Sequence, residues 1–121
     1  WELKSDRPIY AQLIEQLELQ ICSGVYPPGA RMPSVRDLAQ EASVNPNTMQ
    51  RALAKLEEDG LLYSHRTSGR FVTEDTERIR ETKSKLAQEQ IEEFLQKMTD
   101  LGFETSEILS IIKKITEELK K

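Results

Sequence analysis

Two short helical patterns lie very close together in this chain, and their spacing restricts the fold more than any other feature. The first pattern follows Ser34, a residue type that favours helix N-caps. The second follows Asn45 and Pro46, which are typical of an N-cap and a first helical residue, and it ends at Gly60. Because only a few residues separate the two patterns, the sequence predicts a helix-turn-helix pair.

The segments on either side of this pair extend the prediction. Apolar residues recur three and four apart from Pro8 to Ile21, which indicates an amphipathic helix before the pair. After Gly60, the stretches "LLYSH" and "RFVT" alternate like strands, and "RTSG" joins them as a turn. Three helices followed by a hairpin are typical of a winged helix, in which the second helix of the pair enters the DNA major groove.

Residues 74–121 differ in character from the winged helix predicted for residues 1–73. A long charged helix is predicted up to Gly102, and a final helix from about Thr105. The fold class is therefore mainly α with a small β-hairpin: a winged helix-turn-helix followed by a two-helix C-terminal dimerisation tail. We expect domains at 1–73, for DNA binding, and at 74–121, for dimerisation and any effector.

The 48 residues of this tail are few for an independent core, so a second copy is the natural partner for its apolar residues. A tail that folds back on its own winged helix in a monomer is the alternative. The predicted homodimer interface comprises Ile91, Phe94, Leu95, Met98, Ile108, Ile111, Ile112 and Ile115.

The charge pattern bears on the partner of the winged helix. The chain has a formal charge of −4 and a pI of about 5.1, so it has no overall attraction for nucleic acid. However, no acidic residue occurs between Glu41 and Glu57, where the second helix of the pair lies. Its polar side presents amide, hydroxyl and guanidinium groups that can bond base edges in the major groove.

Cations on both sides of that helix favour double-stranded DNA as the partner. Arg36 lies in the first turn of the preceding helix, where a cation opposes the helix dipole and favours an external anion, although an ordinary ion pair is the alternative. Arg66 and Arg70 flank the tip of the hairpin, where surface solubility is the competing explanation. The predicted DNA-binding residues are Ser34, Arg36, Asn47, Thr48, Gln50, Arg51, Lys55, Arg66, Gly69 and Arg70.

Little in the sequence favours an enzyme. With one Cys and one His, the chain offers no triad and no metal cluster, and we predict no catalytic site, no metal site and no cofactor. No apolar run approaches the roughly 20 residues of a membrane span, and the first residues lack a signal-peptide profile. We therefore expect a cytoplasmic protein with no membrane partner.

The sequence from Pro8 to Val72 resembles the GntR family of bacterial transcription regulators. The similarity runs through "PIYAQLIEQLELQICSGVYPPGARMPSVRDLA", "VNPNTMQRALAKLEEDGLL" and "SGRFV", and the short two-helix tail is most similar to the YtrA subfamily. This resemblance implies a homodimeric winged-helix repressor or activator that binds an inverted-repeat, or palindromic, operator. It also implies DNA contacts at Arg36, Asn47, Thr48, Gln50 and Gly69.

The resemblance has departures and leaves alternatives open. Pro46 and Gln50 stand where many GntR proteins have arginine, Thr67 replaces a frequent wing glycine, and Arg70 replaces a frequent threonine. The tail has no room for the larger effector domains of other subfamilies. A small-molecule effector would therefore lie between helices at the dimer interface. A winged-helix protein-interaction module without specific DNA binding is the alternative function.

Overall fold

The computed structural model describes residues 1–120, and its element order matches the winged helix-turn-helix plan. The elements are α1 (Ile9–Cys22), α2 (Val35–Ala42), α3 (Pro46–Glu58), β1 (Leu62–His65), β2 (Gly69–Val72), α4 (Thr76–Asp100) and α5 (Thr105–Leu119). The predicted fold class is confirmed. The chain forms two compact units: the first spans Trp1–Ser84, and the second begins at Lys85.

The core of the first unit is built around α3, which packs against both α1 and α2. The periodic apolar residues of all three helices face one another, as the sequence pattern predicts. Full burial of one such side chain contributes roughly 1.5–3 kcal/mol. The large side chains with less than 2% exposure are Leu13, Leu17, Ile21, Leu38, Met49, Leu53, Leu56, Leu61 and Val72.

The turn between α2 and α3 is set by two caps and one left-handed residue. Ser34 Oγ accepts from the Asp37 backbone N–H at 3.1 Å, which confirms it as the N-cap of α2. Asn45 Oδ1 accepts from the Asn47 N–H at 2.7 Å, and Pro46 follows at the first helical position. Between them, Ser43 adopts φ +57°, which ends α2 and turns the chain within three residues.

The hairpin is attached to the rest of the unit along β2. Ser64 pairs with Arg70 and His65 with Gly69 in the antiparallel register. On the other side of β2, Arg31 forms a bridge with Phe71, so β2 lies between β1 and the segment before α2. Gly69 has φ +98°, a conformation in which L side chains are strained, so the turn into β2 requires glycine there.

The first unit includes the start of α4, whose Ile79 packs against the core. The Asp75 carboxylate accepts from the backbone N–H groups of Glu77 and Arg78 at 3.1 and 3.2 Å and so caps α4. The assignment of residues 1–73 and 74–121 to separate functions stays a prediction.

The second unit contains the remainder of α4, the turn at Gly102 and α5. Gly102 has φ +99°, and a reciprocal capping box between Glu104 and Glu107 starts α5. Ile108 is the one buried side chain of this unit among the residues the structure describes. No helix within residues 1–120 has the length and apolar character needed to cross a membrane.

Candidate nucleic-acid interface

The outward side of α3 carries the polar residues predicted to contact DNA. Met49, Ala52, Leu53 and Leu56 are fully buried, so the helix is held by one side and the opposite side faces solvent. Asn47, Gln50 and Arg51 are exposed on that opposite side, and Thr48 is half-buried. Asn47 and Thr48 lie in the first turn, so the N-terminal end of α3 presents their polar side chains, whereas the backbone N–H groups of Asn47, Thr48 and Met49 already bond to Asn45.

The start of α2 contributes one cation. Arg36 is exposed, and within residues 1–120 its guanidinium makes no ion pair or hydrogen bond. The ion pair considered as an alternative from the sequence is therefore not formed in the described part of the chain. Ser34 is exposed too, but its hydroxyl already accepts the Asp37 N–H as the helix cap.

Arg51 is held by an aromatic ring of α1. Its guanidinium carbon lies 4.6 Å from the centroid of the Tyr10 ring, a distance typical of a cation–π contact. This contact limits the rotamers of a long, exposed side chain and directs its charge to one place on the surface. The sequence does not indicate this contact, because nothing in the spacing of Tyr10 pairs it with a residue of α3.

The two arginines of the hairpin occupy different environments. Arg66 is exposed at the turn between the strands. Arg70 instead points back to α3: its Nε donates to the Glu57 carboxylate, and its second donor reaches Gln50 Oε1 at 3.2 Å. Its side chain is only 17% exposed, so Arg70 connects the hairpin to the polar side of α3.

Glu57 is the anchor of this connection. Besides Arg70, it accepts a hydrogen bond from the Ser64 hydroxyl of β1 at 2.7 Å. Burial raises the pKa of Glu57, but the hydrogen bonds from Ser64 and Arg70 and the Arg70 charge outweigh burial and leave the pKa below its ordinary value. The carboxylate therefore stays ionised at neutral pH and holds Arg70 in place.

Lys55 lies at the other end of α3 from Asn47, about 12 Å away along the helix axis. Its ammonium group pairs with Asp59 at 3.4 Å and with Glu58 at 3.9 Å. The hydrogen bond and charge of Asp59, with the charge of Glu58, raise the pKa of Lys55. Lys55 is thus a paired cation, unlike Arg36.

Arg31 is a cation that sequence reasoning missed. It is exposed, and a Cβ built on Gly69 would lie 3.5 Å from its Nε, so its guanidinium runs beside the base of the hairpin turn. With Arg66 it places two positive charges at this end of the hairpin. The bridge to Phe71 that brings it there joins residues forty positions apart, which no local pattern indicates.

Aromatic rings stiffen the hairpin. Phe71 stacks on Tyr63 with ring centroids 5.7 Å apart and meets the edge of His65 at 6.0 Å. His65 thus packs against the hairpin at the end of β1. Among residues 1–120, no group of His, Cys, Asp or Glu side chains has an arrangement that could hold a metal ion.

Most residues predicted for a dimer interface are exposed on the two helices of the second unit. Ile108 is buried within its own chain, and Met98 and Ile111 are half-buried. Leu101, Leu109 and Leu119, which the prediction omitted, are exposed as well. The exposed members of the predicted set are Ile91, Phe94, Leu95, Ile112 and Ile115.

Comparisons with known proteins agree with this architecture. The family described as bacterial regulatory proteins of the gntR family matches residues 9–72. The uncharacterized regulator YhcF of Bacillus subtilis is 37% identical over 96% of this chain and 96% of its own. The repressor YtrA of the same organism is 31% identical over 97% of this chain and 91% of its own.

Solved structures extend the comparison. A GntR family transcriptional regulator from Listeria monocytogenes is 37% identical, covers 93% of this chain and 98% of its own, and superposes with a TM-score of 0.84. The DNA-binding domain of AraR in complex with its operator ORE1 is 34% identical and covers 60% of this chain and 90% of its own, with a TM-score of 0.53. About 60% of this chain is therefore similar to a domain solved on DNA.

Proposed function

The chain belongs to the GntR family of bacterial regulatory proteins, and from this membership we propose that it represses transcription by binding an inverted-repeat operator as a homodimer. The family and its DNA-bound relatives make the protein a DNA-binding transcriptional regulator. The proposed binding of an operator rests mainly on the exposed polar side of α3. This side is flanked by the unpaired Arg36 and by a hairpin with Arg66 at its tip.

In the proposed complex the N-terminal end of α3 lies in the major groove. Asn47, Gln50 and Arg51 reach base edges, and Thr48 supplies a methyl group for a thymine. Arg36 binds a phosphate beside the groove, where the backbone contact fixes the register of the protein on the duplex. Arg66 and Arg31 bring the hairpin to the adjacent backbone or minor groove.

The homodimer in this proposal is formed by the apolar surface of the second unit. Both helices of this unit carry several exposed large hydrophobic residues, which is unusual on a monomeric protein, and α4 contributes no buried residue of its own. A two-fold pairing of such a surface relates two copies of α3, and half-sites about 34 Å apart then match one turn of DNA.

Any small-molecule effector is proposed to bind at this interface. Phe94 is exposed, and Met98 and Phe103 are half-buried, so aromatic and thioether surface is available there. A ligand bound between the two copies would change the separation of the DNA-binding units and so the operator affinity. Site and effector both stay proposals.

The experiment is the selection of a duplex from a random pool, followed by anisotropy titrations across salt concentrations. A dimer that neutralises about six phosphates gives a slope of log Kd against log salt with a magnitude near 5. Arg36→Ala removes one contact per copy and should lower both affinity and slope. Lys97→Ala, which removes the same charge from an exposed residue of the second unit, is the matched control.

Two outcomes would contradict the proposal. A flat salt dependence without an enriched sequence would favour the protein-interaction module instead. An enriched site without two-fold symmetry, bound by one chain, would contradict the dimer.

A further inference from the structure

A chain of hydrogen bonds crosses from the hairpin to the DNA-facing side of α3. Ser64 on β1 and Arg70 on β2 both donate to Glu57, and Arg70 also donates to Gln50 Oε1. Gln50 is exposed, whereas the side chains of Arg70 and Glu57 are 17% and 29% exposed. The mostly buried Arg70–Glu57 pair therefore holds one end of the exposed Gln50 side chain.

The chemistry of arginine determines which end of the Gln50 amide Arg70 holds. A guanidinium has only donors, so the atom of the Gln50 amide that faces it must be the oxygen. The amide nitrogen, with two N–H donors, is then the end that remains available to a ligand. A free glutamine could turn either atom toward DNA, but Gln50 presents mainly a donor.

This orientation discriminates between purines. Guanine offers two acceptors in the major groove, N7 and O6, which suit an N–H donor. Adenine offers one acceptor and one donor, and a bidentate contact needs both the oxygen and the nitrogen of the amide. At Gln50, the adenine amino group would have to share Oε1 with Arg70.

We propose that Gln50 reads guanine rather than adenine, and that Arg70 sets this preference as a positioning residue by holding the Gln50 amide oxygen. Glu57 and Ser64 keep Arg70 in place. The inference rests on the proposed function, since it needs α3 in the major groove. It gives Arg70 a role in specificity without direct contact to a base.

The test starts from the operator selected by the wild-type protein, in which each base pair is replaced in turn. Dissociation constants are measured for wild type, Gln50→Ala, Arg70→Ala and the double variant. We expect wild type to prefer guanine over adenine about tenfold or more at one base pair of each half-site. Both single variants should reduce that ratio to below about threefold at the same pair, and the double variant should add nothing further.

Gln50→Glu provides a second variant, because position 50 is exposed and the fold should tolerate the change. A carboxylate still accepts from Arg70 but has no donor, so the guanine preference should be lost and cytosine, which offers an amino group, should become favoured. Melting temperatures of all variants are compared with wild type to show that each is folded.

Different results would overturn the inference about Gln50 and the proposed function. Retention of the guanine preference in Gln50→Glu, or an adenine preference of wild type at this pair, would overturn the inference. So would an equal loss of affinity of Arg70→Ala for every duplex, with a salt slope lower by about one per copy, because that result identifies a phosphate contact. If wild type selects no duplex at all, the proposed function itself fails.

Discussion

The replacement of Ile112 by glutamate tests whether the apolar surface of the second unit joins two copies. Ile112 is 37% exposed in the single chain, so a partner would remove about a third of its surface from water. Burial of a whole isoleucine contributes roughly 1.5–3 kcal/mol, so this share amounts to about 0.5–1 kcal/mol per copy. A two-fold interface contains the residue twice, and the lost burial is about 1–2 kcal/mol for the dimer.

The introduced carboxylates add a further cost. Even a partly hydrated polar group without a partner costs at least about 1 kcal/mol when it enters an interface, and two copies enter. Together these terms weaken dimerisation by about 3 kcal/mol or more, which raises the dimer dissociation constant at least about 100-fold. The operator affinity should fall in parallel, because a single chain binds only one half-site.

The assay is sedimentation velocity across a range of protein concentrations, with operator binding measured on the same samples. Ser110→Glu is the matched control: it adds the same charge on α5, two residues away and about 200° around the helix. We expect wild type and Ser110→Glu to be dimers and Ile112→Glu to be a folded monomer. A dimer of unchanged stability in Ile112→Glu would refute the assignment of this surface.

Three further predictions concern the first unit. Arg36→Ala should weaken operator binding about 5- to 10-fold with no change in melting temperature, measured by anisotropy and calorimetry, because the exposed guanidinium has no described partner in the chain. Tyr10→Ala should reduce operator affinity by releasing Arg51 while Tyr10→Phe, which keeps the ring, should not; equal effects of the two would contradict the cation–π role. The pKa of Glu57 is lowered in the folded protein, so wild type should be more stable than Glu57→Gln above the ordinary pKa of 4.5. This difference, measured by urea unfolding, should disappear as the pH falls through the folded-state pKa. A pH-independent difference would contradict the ion pair.

Local features of the sequence predicted most of the fold. Ser34 and Asn45 were identified as helix caps, and Gly60 and Gly102 as helix ends, because each depends on interactions within a few residues. The inward side of α3 followed in the same way from the three- and four-residue spacing of its apolar positions.

Local sequence patterns could not predict which residues the arginines contact. The position of the Arg51 guanidinium is set by the Tyr10 ring, and that of Arg31 by its bridge to the hairpin. Both contacts join segments that are distant in the chain. A sequence pattern indicates which residues reach the surface of a helix, but it does not give the distance between two such surfaces. The free or paired state of each cation therefore required the structure.

The arrangement of these pairs explains how an acidic chain can present a surface for DNA. Residues 1–73 contain 8 basic and 9 acidic residues, so net charge alone predicts no attraction to phosphate. However, Glu57, Glu58 and Asp59 lie together at the C-terminal end of α3, where Arg70 and Lys55 pair with them. The N-terminal end of the same helix has no acidic residue in its first turn. Because the field that a phosphate meets falls off within about 10 Å at ordinary ionic strength, the local order of charges along α3 matters more than the net charge for the DNA contact proposed at its N-terminal end.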